Sequence, residues 1–232
     1  MQICYLDRWL LLCEKPVGVL SEASPTEQNM PALIADELRA RGERTEVYAV
    51  HRLDRAVGGL MLFARDSATA GKLSALIAER NMTKQYLCLV HGTPEAAEGE
   101  LCDLLFKDSA RNKTFVVKRM RRGVKQATLT YRALSPARAT AWGDCSPILV
   151  TMGTGRSHQI RVQFSSRALP LLGDGKYGGS DNGADIALWS HRIAFAHPRT
   201  GKSVDVSLPP PDAVPWSLFA DVYPTAGGAC HA

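Results

Sequence analysis

Short apolar runs separated by turn residues dominate this chain, and only three stretches read as helices. Residues 8–13 and 17–20 predict two short strands on either side of the turn Lys15-Pro16-Val17-Gly18. From Thr26 to Arg41, Met30, Leu33, Ile34 and Leu38 fall at helical spacing, and Gly42 is placed to end the helix. Ser67 reads as the cap of a second helix reaching Arg80, with Ala70, Leu73, Leu76 and Ile77 on or near its buried face. Tyr86 to Val90 predicts a strand. Phe115-Val116-Val117 and Ala127 to Tyr131 predict the two arms of a hairpin joined through Arg121-Arg122-Gly123. Ile148 to Met152 predicts a buried strand that breaks at Gly153, after which Ser157 caps a third helix through Phe164. Trp189 to Phe195 and Ser203 to Leu208 predict closing strands around the Pro198-Arg199-Thr200-Gly201 turn.

Because strands outnumber helices and many are joined by short turns, the pattern predicts an α+β fold. Its central sheet is expected to be mixed and largely antiparallel, flanked by helices and loops. No internal repeat or low-complexity linker interrupts it. A single domain over residues 1–224 is expected, with a disordered tail over 225–232.

Composition narrows the class without naming a function. At 232 residues, 45% hydrophobic and 22% charged, the chain can bury one sizeable core and is too apolar for disorder. The cysteines Cys4, Cys13, Cys88, Cys102, Cys145 and Cys230 form no Cys-x-x-Cys pair, so reduced thiols are expected. Without a basic region leading into a long apolar stretch, no secretory signal or membrane span is expected, and the predicted location is the cytoplasm.

The net charge of +5 is modest, but its distribution is uneven. From Lys107 to Lys125 there are eight basic residues (Lys107, Arg111, Lys113, Lys118, Arg119, Arg121, Arg122, Lys125) against one acid, Asp108. A local excess of that size suits a polyanion, since phosphate contacts supply much of nucleic-acid affinity. Alone, the segment reads equally well as a solvated hairpin loop.

The chemistry concentrates at His51-Arg52-Leu53-Asp54-Arg55, followed by Ala56-Val57-Gly58-Gly59-Leu60-Met61-Leu62-Phe63-Ala64. A carboxylate between two arginines is favoured in its ionised form, which an attacking nucleophile requires. In isolation such a string would be a surface salt bridge. The wording here resembles the active-site motif of the RluA family of pseudouridine synthases, His-Arg-Leu-Asp-x-x-Thr-Ser-Gly-Leu-Leu-Leu-Phe-Ala. Further segments resemble that family in order: Tyr5 to Gly18, with its Lys15-Pro16-Val17-Gly18 turn; Thr83 to Gly92; Thr154-Gly155-Arg156-Ser157-His158-Gln159-Ile160-Arg161 onward to Phe164; and Leu172 to Gly179. One departure stands out, Val57-Gly58 in place of the usual Thr-Ser.

The resemblance implies the pseudouridine synthase core without an N-terminal S4 domain, and the isomerisation of a uridine in RNA without any cofactor. It implies Asp54 as the catalytic nucleophile, attacking the sugar or the base. Tyr86 would stack on the ring and handle protons, and Arg161 would be the ion-pair partner of Asp54. The target base must be flipped out of the RNA, and the resemblance gives Arg52 the place it leaves. Expected RNA contacts are Arg52, Arg55, Lys118, Arg119, Arg121, Arg122, Lys125, Arg156 and His158, on a stem-loop of rRNA or tRNA. The protein is expected to act as a monomer, with no obligatory protein partner and no membrane.

Other signals carry less. Gly173-Asp174-Gly175-Lys176-Tyr177-Gly178 fits Gly-x-Gly-x-x-Gly, but the loop Ser180-Asp181-Asn182-Gly183 follows where a dinucleotide site needs a helix. There is no P-loop string, and the histidines (His51, His91, His158, His191, His197, His231) show no metal-binding spacing, so no metal is expected. Two other functions remain open: an RNA-binding module on the same fold that has lost catalysis, and an N-glycosidic hydrolase, for which no second acid stands out.

Overall fold

The computed structural model describes residues 1–178 and 183–224. The expected tail, with Cys230 and His231, and the centre of the loop after Gly178 lie outside the described residues. In chain order the elements are β1 (Ile3–Leu6), β2 (Leu10–Lys15), α1 (Met30–Ala40), β3 (Tyr48–Ala49), β4 (Gly58–Ala64), α2 (Ser67–Ala78), β5 (Met82–His91) and β6 (Glu98–Asp108). They continue with β7 (Lys113–Val117), β8 (Val124–Ala133), β9 (Arg138–Thr140), β10 (Gly143–Met152), α3 (Gln159–Ser165), β11 (Leu188–Ala196) and β12 (Ser203–Ser207). The strand pairing is mixed but mostly antiparallel, with β4 and β11 running parallel, so the α+β expectation holds. The chain divides into two compact units, Met1–Lys84 with Trp189–Pro210, and Gln85–Leu188 with Pro211–Tyr223.

In the first unit β2 pairs with β1 and β4, β3 also pairs with β4, and β12 pairs with β11. Leu10 to Cys13 and Leu60 to Ala64 are all fully buried. These continuous apolar runs suit strands covered on both faces, where a period of two would bring polar groups into the core. Helix α1 begins at Met30, four residues later than the spacing predicts. Its cap is Asn29, whose side chain accepts the Ala32 N–H. Helix α2 is capped by Asp66 rather than Ser67, the carboxylate accepting from both the N–H and the hydroxyl of Thr69 at 2.7 Å. Residues 17–20 are a turn and an isolated bridge from Leu20 to Asn29, not a strand. β1, β3 and β4 are strands that the sequence pattern does not predict; β1 pairs with β2 through a bulge.

In the second unit the strand order is β5-β10-β8-β6-β7, with β9 on β10. The hairpin expected between 115–117 and 127–131 does not form. β6 lies between its two arms and pairs with both, Phe106 opposite Phe115 and Leu101 opposite Leu129. The reason is visible in β6 itself. Glu98, Glu100, Asp103 and Lys107 break its apolar residues into no regular period, so the pattern hides a strand held by backbone pairing on both sides. Helix α3 is buried over Gln159 to Phe164. Phe164 meets Tyr131 of β8 edge to face at 5.6 Å, and Val162 joins Leu105, Ala127 and Tyr177 in one buried cluster. The α3 cap is His158 in the left-handed conformation, φ 52°, with no capping bond from Ser157.

The parallel contact of β4 with β11 is unusually close. Gly59 sits opposite Ser190 at φ 111°, and a Cβ there would stand 2.4 Å from the Ser190 carbonyl oxygen. Both the backbone angle and the space demand glycine. Gly59→Ala is therefore expected to destabilise the fold by about 2–4 kcal/mol, a size reached through strain and overpacking. Urea unfolding measures this, and an unchanged midpoint would show that the two strands can separate freely.

Candidate active site

Asp54 stands on the loop between β3 and β4, and that loop is fastened from several sides. Lys15, at the end of β2, has no exposed surface, and its ammonium donates to the carbonyls of Pro16 (2.9 Å), Arg55 (3.1 Å) and Val57 (2.8 Å). Burial pulls the Lys15 pKa down to about 8, opposed by the nearby Asp54 carboxylate. The Ser21 hydroxyl donates to the Leu53 carbonyl (2.7 Å) and accepts the Leu53 N–H (3.0 Å). Gly18 N–H donates to the Arg55 carbonyl, and the Arg55 guanidinium donates back to the Gly18 carbonyl, at 2.9 and 3.0 Å. Asp54 closes the turn by accepting the Val57 N–H on its carbonyl at 3.0 Å.

The Val57-Gly58 departure has a packing explanation. Val57 is buried, and a Cβ on Gly58 would lie 2.5 Å from the indole ring of Trp189. Trp189 is itself buried, its indole N–H donating to the Leu208 carbonyl at 3.1 Å. An aromatic ring thus occupies the space beside the loop that a side chain at 58 would need. His51 also belongs to the scaffold: its Nε2 accepts the Leu62 N–H at 3.1 Å, so the neutral ring carries its proton on Nδ1. Burial, aided by the charge of Lys84, pushes its pKa down to about 3.

The second unit carries Tyr86 and Arg161. Tyr86 lies on β5 opposite Val150, 9% exposed. Arg161 projects from α3 and is held in a fork by Asp174, Nε and Nη2 donating to the two carboxylate oxygens at 2.8 and 2.7 Å. Asp174 is 1% exposed, so the pair is buried and the planar match of guanidinium and carboxylate is fully used. The ring of Tyr177 lies 5.2 Å from the Arg161 guanidinium and 5.1 Å from the Lys113 ammonium. The Tyr177 hydroxyl accepts the Thr114 N–H (2.8 Å) and bonds the His158 ring (2.9 Å). Through Tyr177, the Arg161 helix is tied to β7, which belongs to the basic segment.

The rest of the 153–158 turn is anchored on β8. Gln159 accepts from the Thr154 hydroxyl and the Arg156 N–H and donates to the Thr128 carbonyl, at 2.8, 3.0 and 3.0 Å. Arg156 donates to the Gln126 carbonyl at 3.0 Å. In the basic segment Lys118, Arg119, Arg121, Arg122 and Lys125 are all exposed, with Arg121 over the Phe106 ring at 4.9 Å. The structure therefore groups Arg52, Asp54 and Arg55 in the first unit. In the second it links His158 and Arg161 to the basic strand.

A family model described as RNA pseudouridylate synthase matches residues 9–166. The chain is 29% identical over 221 residues to the ribosomal large subunit pseudouridine synthase D of Zymomonas mobilis, covering 88% of this chain and 68% of that one. It is 28% identical over 215 residues to the dual-specificity RNA pseudouridine synthase RluA of Escherichia coli, covering 89% and 92%. The chain belongs to the RluA family of RNA pseudouridine synthases. The fold of this pseudouridine synthase is shared with human RNA pseudouridylate synthase domain containing 4, at TM-score 0.74 and 18% identity over 90% of this chain and 88% of that one. Human RNA pseudouridylate synthase domain containing 1 matches at TM-score 0.73 and 24% identity, over 97% and 88%.

Lys15 and Asp174 were missed as site residues, although both stand inside motifs that the sequence displays. The signal for Lys15 was a lysine ending an apolar run, and for Asp174 an acid beside a glycine turn. Each becomes telling only once its burial is known.

Two outcomes follow from this geometry. Asp174→Asn takes the two-point carboxylate partner away from the buried Arg161 guanidinium and is expected to cost about 3 kcal/mol or more in urea unfolding. A loss near zero would mean that the guanidinium finds another acceptor. For His51, the folded pKa near 3 lies below its ordinary 6.5, so the unfolded chain binds a proton that the folded chain refuses. Its contribution is full above about pH 6.5 and declines as pH falls toward 3. His51→Gln retains an acceptor for the Leu62 N–H but cannot titrate, so its stability should decline less steeply between pH 6.5 and 4 than that of wild type. Parallel declines would contradict this assignment.

Proposed function

We propose that this synthase converts a specific uridine of an rRNA or tRNA stem-loop to pseudouridine, with Asp54 as the nucleophile. The observation that carries the reading is the Asp54 loop. A carboxylate sits between two exposed arginines on a backbone fastened by a buried ammonium and reciprocal hydrogen bonds. Such fastening favours catalysis, because a reacting group must be held in place before the substrate arrives.

In the reaction the bond from N1 of uracil to C1′ of the ribose breaks and a bond from C5 to C1′ forms. N1 gains a proton and C5 loses one, so the balance needs no cofactor. Asp54 supplies the attacking oxygen, whether to the sugar or to the base. Tyr86 provides a ring surface for the base and a hydroxyl for proton handling, and Arg161 is the active-site cation. Arg52 fills the place that the flipped base leaves, and Arg55 contacts the adjoining backbone. Lys118, Arg119, Arg121, Arg122, Lys125, Arg156 and His158 meet phosphates, the term that dominates RNA affinity. The enzyme acts as a monomer in the cytoplasm.

The test is pseudouridine mapping of total tRNA and rRNA after incubation with wild type and with Asp54→Asn. Conversion of one or a few uridines by wild type alone is expected, with the variant reduced at least ~10³-fold, as for loss of a covalent catalyst. Tight RNA binding without conversion by either protein would establish a non-catalytic RNA-binding module instead, and release of free uracil would establish a hydrolase.

A further inference from the structure

Both arginines beside Asp54 are already occupied by carboxylates from one loop. Arg52 pairs with Glu22 at 2.6 Å, and Arg55 pairs with Glu27. All four side chains are largely exposed, at 62% and 59% for the first pair and 61% and 45% for the second.

The loop that carries the two glutamates is built rather than slack. It is closed at its base by Leu20 N–H to the Gln28 carbonyl (3.1 Å) and Met30 N–H to the Leu20 carbonyl (2.8 Å). Asn29 donates its amide to the carbonyls of Ser24 (3.0 Å) and Glu27 (2.9 Å), while the Ser24 hydroxyl accepts the Glu27 N–H at 3.2 Å. At its start, Ser21 is hydrogen-bonded to both backbone groups of Leu53, the residue between Arg52 and Asp54. The backbone therefore presents one carboxylate to each of the two arginines flanking the nucleophile.

A carboxylate offers a guanidinium the same paired oxygen acceptors as a phosphate. Exposed ion pairs of this kind are weak, so an RNA phosphate can exchange with them. Until it does, each glutamate both occupies its arginine and repels the RNA backbone. We infer that Glu22 and Glu27 determine RNA selectivity at this loop, holding Arg52 and Arg55 so that only an RNA that engages both arginines, one at the place left by the flipped base and one through its backbone, displaces them. This rests on the proposed reading in which the two arginines contact RNA. An RNA that engages the loop partially breaks an ion pair without a full replacement and binds more weakly for it. One that seats its uridine at Asp54 regains both.

The probe is poly(A), an RNA without uridine and so without a substrate base, with unfractionated tRNA measured beside it. The double variant Glu22→Gln/Glu27→Gln is compared in filter binding with Glu37→Gln/Glu46→Gln. The latter changes net charge equally and removes two other exposed partners, those of Arg41 and Arg44. Exposed pairs contribute little stability, so both variants are expected to fold, as thermal melting checks. The Glu22/Glu27 variant should bind poly(A) about three- to tenfold more tightly than wild type, the factor set by freeing two exposed ion pairs. The control should gain less than twofold. The gain should vanish when Arg52→Ala/Arg55→Ala is added. A gain equal to the control's, or one that survives loss of the arginines, overturns the inference while leaving the arginine contacts intact. If Arg52→Ala/Arg55→Ala weakens binding to neither RNA, even with Glu22 and Glu27 neutralised, the arginine reading and the inference fall together.

Discussion

An ammonium group without access to water must be surrounded by acceptors, and that requirement organises the loop that carries Asp54. Lys15 ends a strand whose residues Leu10 to Cys13 are wholly buried, and its own charge is drawn inside with them. Removing such a charge from water is costly by several kcal/mol unless oxygen atoms replace the solvent. Here they are backbone carbonyls, two of them on the residues that follow Asp54. The lysine thus fixes the backbone of the Asp54 turn, and the Asp54 carboxylate in turn favours its charge. One buried ion thus links the packing of β2 to the geometry of the Asp54 turn.

The second unit repeats the principle with a different pair. Arg161 is buried on a helix only seven residues long, and Asp174 supplies a two-point acceptor from the glycine-rich loop. Tyr177 adds its ring face and ties the assembly to β7 through the Thr114 N–H, so the basic segment and the Arg161 helix share a residue. In both units a buried charge is held by several hydrogen bonds, the arrangement by which a buried network rigidifies its surroundings. The exposed arginines beside Asp54 differ in kind. Their ion pairs face water, where charges remain exchangeable.

Much of the fold was legible because burial leaves a mark on the sequence. The run Leu10 to Cys13 reads as a strand, since continuous apolar residues bounded by turn residues have few alternatives. The closing pair β11 and β12 was legible from its turn at 198–201. What failed was pairing and capping. β6 was hidden by its charged residues, and with it the true neighbours of β7 and β8. Asp66 displaced Ser67 as a cap, because the carboxylate reaches both polar hydrogens of Thr69.

By itself the sequence determined the element types along most of the chain, the absence of a P-loop string, and the family, since motif wording is local and order along the chain preserves it. It also placed the arginines around Asp54, because adjacency in the chain brings them onto one loop. Only the tertiary structure decided that Lys15 and Asp174 are counter-charges inside the protein, that Trp189 fills the space beside Gly58, and that Glu22 and Glu27 hold the two arginines. Each depends on residues distant in sequence meeting at a few ångströms, and neither periodicity nor motif encodes that distance.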